Sequence, residues 1–201
     1  MEYKQQTLVA FVGRRGSGKD TAANFAADIF GKVQGEPTLT AYFSFGDVLK
    51  NIANNSLDIN TADAEALKRM PGIKIANNLD LRTFINKLGD TLKGYFGELV
   101  FTNIVIERIT NTLDDVKPDL MLVTDVRYPH ELAALKKLCE DKGIEFISIK
   151  MRNTNLDHEM METNQHLSES QIETMVTQFA IIAGDVETIK NKMEVICNEL
   201  C

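Results

Sequence analysis

Gly13-Arg14-Arg15-Gly16-Ser17-Gly18-Lys19-Asp20-Thr21 is the stretch that decides the fold of this chain. It follows the apolar run Thr7-Leu8-Val9-Ala10-Phe11-Val12 and precedes a segment in which Ala22, Phe25, Ala26 and Ile29 fall on one helical face. A continuous apolar run closed by Gly is the pattern of a parallel strand buried on both sides. Apolar residues three and four apart are the pattern of a helix packed on such a strand. Gly31 is expected to stop that helix. The glycines between strand and helix let the backbone curl so that successive N–H groups converge. The following helix turns the positive end of its dipole to the same point, and Lys19 adds a cation. Strand, G-x-x-x-x-G-K loop and helix in that order make a phosphate cradle. The plain alternative is a glycine-rich turn with a solvated lysine.

Asp20 stands where this motif usually has Ser or Thr to ligate Mg²⁺. A carboxylate there holds the ion directly or through water, or it only favours the helix N-terminus through the dipole. Thr21 is placed to donate to a phosphate.

Outward from the loop, 38–45 (TLTAYFSF) predicts a second strand, and Gly46-Asp47 opens a helix carrying Val48, Leu49 and Ile52. Residues 54–80 are polar without a clear period, with a turn at Pro71-Gly72. Leu81, Phe84, Ile85, Leu88 and Leu92 form a helical stripe, and 98–113 predicts another helix with Phe101, Ile104, Val105 and Ile109 inward. Strands follow at 120–124, 144–150 and 179–183, with helices at 130–142, closed by Gly143, and 185–199. Strands alternating with helices predict an α/β fold: about five parallel strands flanked by helices in three layers, with right-handed crossovers. The chain reads as a single domain over 1–201, with the polar stretch 153–170 as a small lid.

The 201 residues are 44% hydrophobic and 25% charged, enough for a packed core. A net charge of −7 argues against a nucleic-acid polymer as partner, since phosphate backbones demand clustered Lys and Arg. A few arginines suffice for one small phosphorylated substrate. The apolar runs are of strand length, so no membrane span is expected, and the polar Met1–Gln6 stretch lacks a signal-peptide core. Cys139, Cys197 and Cys201 have no metal-ligand spacing and read as reduced thiols of a cytoplasmic protein.

Ligands of open α/β sheets collect beyond the carboxyl ends of the strands. Asp125 ends the 120–124 strand, which makes it a second Mg²⁺-associated carboxylate. Arg127 is placed to grip a phosphate, and Glu131 to orient Arg127 or bind a sugar hydroxyl. The same residues also read as an exposed ion pair at a helix start, with Pro129 in the first turn. Lys50, Arg82, Gly89, Asp90 and Phe101 are further candidate contacts. Taken singly, the cations read as solvated, Gly89 as a close packing point and Phe101 as core. Arg152 and His166 flank the polar stretch.

Taken together, GRRGSGKDT (13–21), FGDVLK (45–50), LRTFINKLGDTL (81–92), VTDVRYPHE (123–131), HLSE (166–169) and AIIAGDVETIKNKMEVI (180–196) resemble the phage deoxynucleoside monophosphate kinases, a P-loop nucleotide kinase family. The resemblance implies ATP- and Mg²⁺-dependent transfer of the γ-phosphoryl group to a 5′-dNMP, giving a dNDP and ADP. It implies that Gly13, Arg15, Gly16, Ser17, Gly18, Lys19, Asp20, Thr21 and Arg152 hold ATP. Lys50, Arg82, Gly89, Asp90, Phe101, Asp125, Arg127 and Glu131 would hold the acceptor, with Phe101 where relatives can carry a base-stacking Trp. Lys19, Arg82, Asp125 and Arg127 form the implied catalytic set, and Asp20 and Asp125 the metal carboxylates. The region 54–97 becomes the acceptor-binding helical part and 153–170 the lid. A homodimer and a host-cytoplasmic location follow by analogy. Rival readings are another small-molecule kinase on this scaffold, phosphomevalonate-like, and a nucleotide-binding module without catalysis.

Overall fold

Thr7–Gly13 forms β1, buried along its whole length, at the centre of a five-stranded sheet. The computed structural model describes residues 5–33, 38–60, 80–155 and 171–200. After β1 come α1 (Lys19–Val33), β2 (Thr40–Phe43), α2 (Phe45–Ser56), α3 (Leu81–Phe96), α4 (Val100–Asp115) and β3 (Leu120–Val126). Then follow α5 (Pro129–Lys142), β4 (Glu145–Asn153), a 3₁₀ turn (Gln171–Thr174), β5 (Phe179–Ala183) and α6 (Val186–Leu200). The strand order is β2-β3-β1-β4-β5, and every pair is parallel. The chain therefore changes side of β1 between β3 and β4, which makes the carboxyl ends beside β1 the switch point where such sheets bind ligands.

Side chains alternate between the faces of a strand. Val9, Phe11, Leu122 and Ile149 share a cluster with Ala22 and Ala26 of α1 and with Ile189 and Met193 of α6. Helices α1 and α6 pack on each other over this face. Leu8, Ala10, Met121 and Val123 are equally buried but belong to the opposite face, where α5 meets β1 and β4. Burial on both faces explains why these strands read as unbroken apolar runs.

Several boundaries differ from the sequence expectation, and three of them have a clear physical reason. Helix α1 passes through Gly31 to Val33. A helical Gly costs about 1 kcal/mol against Ala, whereas the adjacent Phe30, buried in the cluster, contributes about 1.5–3 kcal/mol. Strand β2 stops at Phe43, and Phe45 opens α2 as a buried residue instead of ending the strand. Strand β4 reaches Asn153, because Met151 pairs with Gly13 on one side and Ile181 on the other.

The chain divides into two compact units: Met1–Ser44 with Arg108–Cys201, which holds the sheet, and Phe45–Glu107. In the second unit α2 packs on α3. Asp80 caps α3, accepting from the Thr83 N–H at 2.8 Å and the Thr83 hydroxyl at 3.0 Å.

Candidate functional site

The loop after β1 closes tightly on its own backbone. Ser17 N–H donates to Arg14 O at 3.2 Å, and Ala22 N–H to Gly18 O at 2.9 Å starts the ladder of α1. A Cβ on Gly13 would lie 2.6 Å from both Met151 O and Ser17 Oγ, so only glycine fits there. Gly18 adopts φ +87°, a conformation that L side chains avoid. From the neighbouring strand end, Asn153 Nδ2 donates to Gly16 O at 3.1 Å and braces the loop.

Lys19 is 7% exposed. Its Nζ donates to Arg14 O at 2.6 Å and approaches Ser17 Oγ at 3.4 Å. A buried ammonium is costly unless it is hydrogen-bonded; here the loop carbonyl supplies that bond and keeps the charge inside the curl. The solvated-lysine alternative does not describe this side chain. Arg15 and Asp20 are exposed, and Thr21 is half-buried in the first turn of α1.

The second half of the sheet-bearing site is the end of β3. Its register against β1 runs Ala10–Val123 and then Val12–Val126, so β3 holds one extra residue between them, at Thr124-Asp125. A bulge re-aims side chains at a strand end, and both residues are half-buried where the rest of β3 is buried. Asp125 Oδ2 accepts from Ser44 Oγ at 2.9 Å, which ties β3 to the end of β2. Glu131 is buried, and its Oε2 accepts the backbone N–H groups of Arg127 at 2.8 Å and Tyr128 at 3.0 Å. Glu131 thus fixes the main chain at Arg127 and Tyr128.

Lys19, Asp125, Arg127, Glu131 and Arg152 thus share the sheet-bearing unit, all at or just beyond strand carboxyl ends. Arg152 is exposed near the end of β4. Lys50, Arg82, Gly89, Asp90 and Phe101 belong to the other unit. There Lys50 pairs with Asp47 at 2.8 Å, and Arg82 and Asp90 are exposed. Gly89 is the close packing point of α2 and α3: an added Cβ would come within 2.8 Å of Leu49 Cδ2. Phe101, expected against a base, is a core residue at 8% exposed. The exposed aromatics of that unit are instead Tyr95 (83%) and Phe96 (70%), between Gly94 and Gly97. Their sequence signal was a helix end that places two aromatics outside the apolar stripe. His166, HLSE and most of the 153–170 lid lie outside the described residues, as does 61–79 of the acceptor region.

The donor set suits a phosphate chain: a curled backbone with no room for a Cβ, a helix N-terminus and an enclosed lysine. Among the described residues no group of three or more His, Cys, Asp or Glu is placed to hold a metal. Burial, and then Glu140, push the Cys139 thiol up to about 12, so it is not a nucleophile at neutral pH. No described helix is long and apolar enough to cross a membrane.

No protein-family model matches the chain, and no curated protein matches it. Solved structures do. A putative kinase from Chloroflexus aurantiacus is similar over 98% of this chain and 97% of that one, with a TM-score of 0.52 at 10% identity. The two share an α/β fold, a five-stranded parallel sheet flanked by helices. The Mycobacterium tuberculosis APS kinase CysC in complex with AMPPNP and APS gives a TM-score of 0.46 at 17% identity over 98% of each chain. A gluconokinase from Sinorhizobium meliloti 1021 gives 0.43 at 15% identity over 98% of this chain and 94% of that one. At such identities the likeness is one of fold and does not name a substrate.

Proposed function

We propose that this chain is an ATP- and Mg²⁺-dependent kinase that converts 5′-deoxynucleoside monophosphates to diphosphates. The observation that carries the kinase part is the enclosed Lys19, held at 2.6 Å by the carbonyl of its own loop beside the Asp125–Arg127 strand end. The nucleotide-monophosphate part rests on the resemblance of 13–21, 45–50, 81–92 and 123–131 to the phage enzymes.

ATP supplies the phosphoryl group. The chain's own residues have the work of positioning and charge neutralisation, which dominates this chemistry. Lys19 and the loop N–H groups hold the β- and γ-phosphates, and Arg127 offsets repulsion as the acceptor phosphate approaches. Asp20 and Asp125 are the carboxylates offered to Mg²⁺. Lys50, Arg82 and Asp90 are assigned to the acceptor by the resemblance. With Phe101 in the core, Tyr95 or Phe96 is the better candidate to meet a base. The acceptor phosphate is itself the nucleophile and is ionised near neutral pH, so no activated Ser or Cys is required.

The test is ADP release with ATP and Mg²⁺ against a panel of dNMPs, NMPs and phosphomevalonate. Stimulation by one or more dNMPs is expected. Stimulation by phosphomevalonate alone would transfer the reading to another acceptor, and ATP binding without stimulation by any acceptor would leave a non-catalytic module.

A further inference from the structure

Arg14 belongs to the loop, yet the phosphate motif assigns it nothing. Its Nη2 lies 3.5 Å from Glu173 Oε1, and the two side chains are 26% and 56% exposed. Its Nε is buried and finds no hydrogen-bond partner among the described residues. The Glu173 end of this pair sits on a fixed platform. The 171–174 turn carries the buried Ile172, is followed by the buried Met175, and packs against α5. Lys150 Nζ donates to Glu173 O at 3.3 Å from β4.

A long, partly exposed ion pair is a weak hold. A buried N–H without an acceptor carries a penalty that such a pair does not offset. The resting position of Arg14 is therefore poorly satisfied. A phosphate chain in the loop offers the same guanidinium short, charge-assisted and paired hydrogen bonds. Arg14 lies five residues before Lys19, and its own carbonyl is the acceptor that holds Lys19 in the loop. Movement of Arg14 and release of Lys19 to a phosphate thus act on one residue.

We propose that Arg14 is a phosphate-binding residue that passes from Glu173 to the phosphate chain of a bound nucleoside triphosphate, with Glu173 as its resting counter-charge. This rests on the reading of the loop as the nucleotide site and does not depend on the acceptor. Glu173 competes with the ligand for Arg14 and opposes nucleotide binding at rest.

The experiment is calorimetric binding of AMPPNP and of tripolyphosphate to the full chain, for wild type, Glu173→Gln, Arg14→Ala and the double variant, each checked by thermal melting. Glu173→Gln is expected to tighten both ligands about three- to tenfold, and Arg14→Ala to weaken both at least tenfold. In the Arg14→Ala background, Glu173→Gln is expected to change nothing. Weaker or unchanged binding in folded Glu173→Gln would overturn the handover, as would an equal gain in both backgrounds. Should Arg14→Ala fail to fold, Arg14→Lys takes its place; the competition also predicts a smaller Glu173→Gln gain in that background. Wild type that binds neither ligand would instead sink the nucleotide-site reading itself.

Discussion

Lys19 is where sequence, geometry and chemistry meet. Its charge is enclosed by its own loop, and the proposed function brings two anionic phosphates to it. Replacing it with Ala is expected to lower acceptor-dependent ADP release by about a hundredfold or more, the scale of losing one preorganised charge at a transition state. A turnover assay checks this, and near-normal rates would remove Lys19 from the mechanism. Gly13→Ala places a Cβ 2.6 Å from the Met151 carbonyl, which is backbone and cannot swing aside. A destabilisation of about 1–3 kcal/mol is expected in denaturant melts, as for other overpacked sites. Asp20→Asn is expected to raise the Mg²⁺ needed for half-maximal rate; an unaltered Mg²⁺ titration would return Asp20 to the helix-dipole role. The loop residues were legible because glycines and a lysine at fixed spacing have few other uses. Arg14 was not, because its interest lies in Glu173, far along the chain and unlinked to it by any sequence period.

At the scale of elements, the buried strands and amphipathic helices announced themselves through apolar runs and helical stripes. Their ends did not, because tertiary packing fixes them: Phe30 carries α1 through Gly31, and Met151 lengthens β4. The bulge at Thr124-Asp125 is a property of strand register, which one strand's sequence does not contain. The start of α6 has a titratable cap. Asp185 accepts from the Thr188 N–H at 2.7 Å and the Thr188 hydroxyl at 2.9 Å, and these bonds hold its carboxyl below the usual value of 3.8. A group whose folded pKa is depressed contributes stability above its unfolded pKa and loses it as pH falls through the folded one. Asp185→Asn is therefore expected to melt below wild type at neutral pH, with the gap narrowing as pH falls below 3.8. Thermal melts across that range check it, and a pH-independent gap would assign the loss to something other than the charge.

For the whole molecule, the net charge of −7 is compatible with the proposed small phosphorylated acceptor. The fold was legible nearly whole, since one strand–loop–helix unit and four more strands leave few arrangements. The proposed acceptor side was less so: Phe101 lies in the core, whereas Tyr95 and Phe96 are exposed at a helix end that no motif marks. The central claim is phosphoryl transfer between two nucleotides, and phosphorus NMR of wild type with ATP, Mg²⁺ and a dNMP tests it most directly. The account predicts a growing dNDP β-phosphorus signal that matches ADP in amount. ADP accompanied by inorganic phosphate with no dNDP from any dNMP would contradict it.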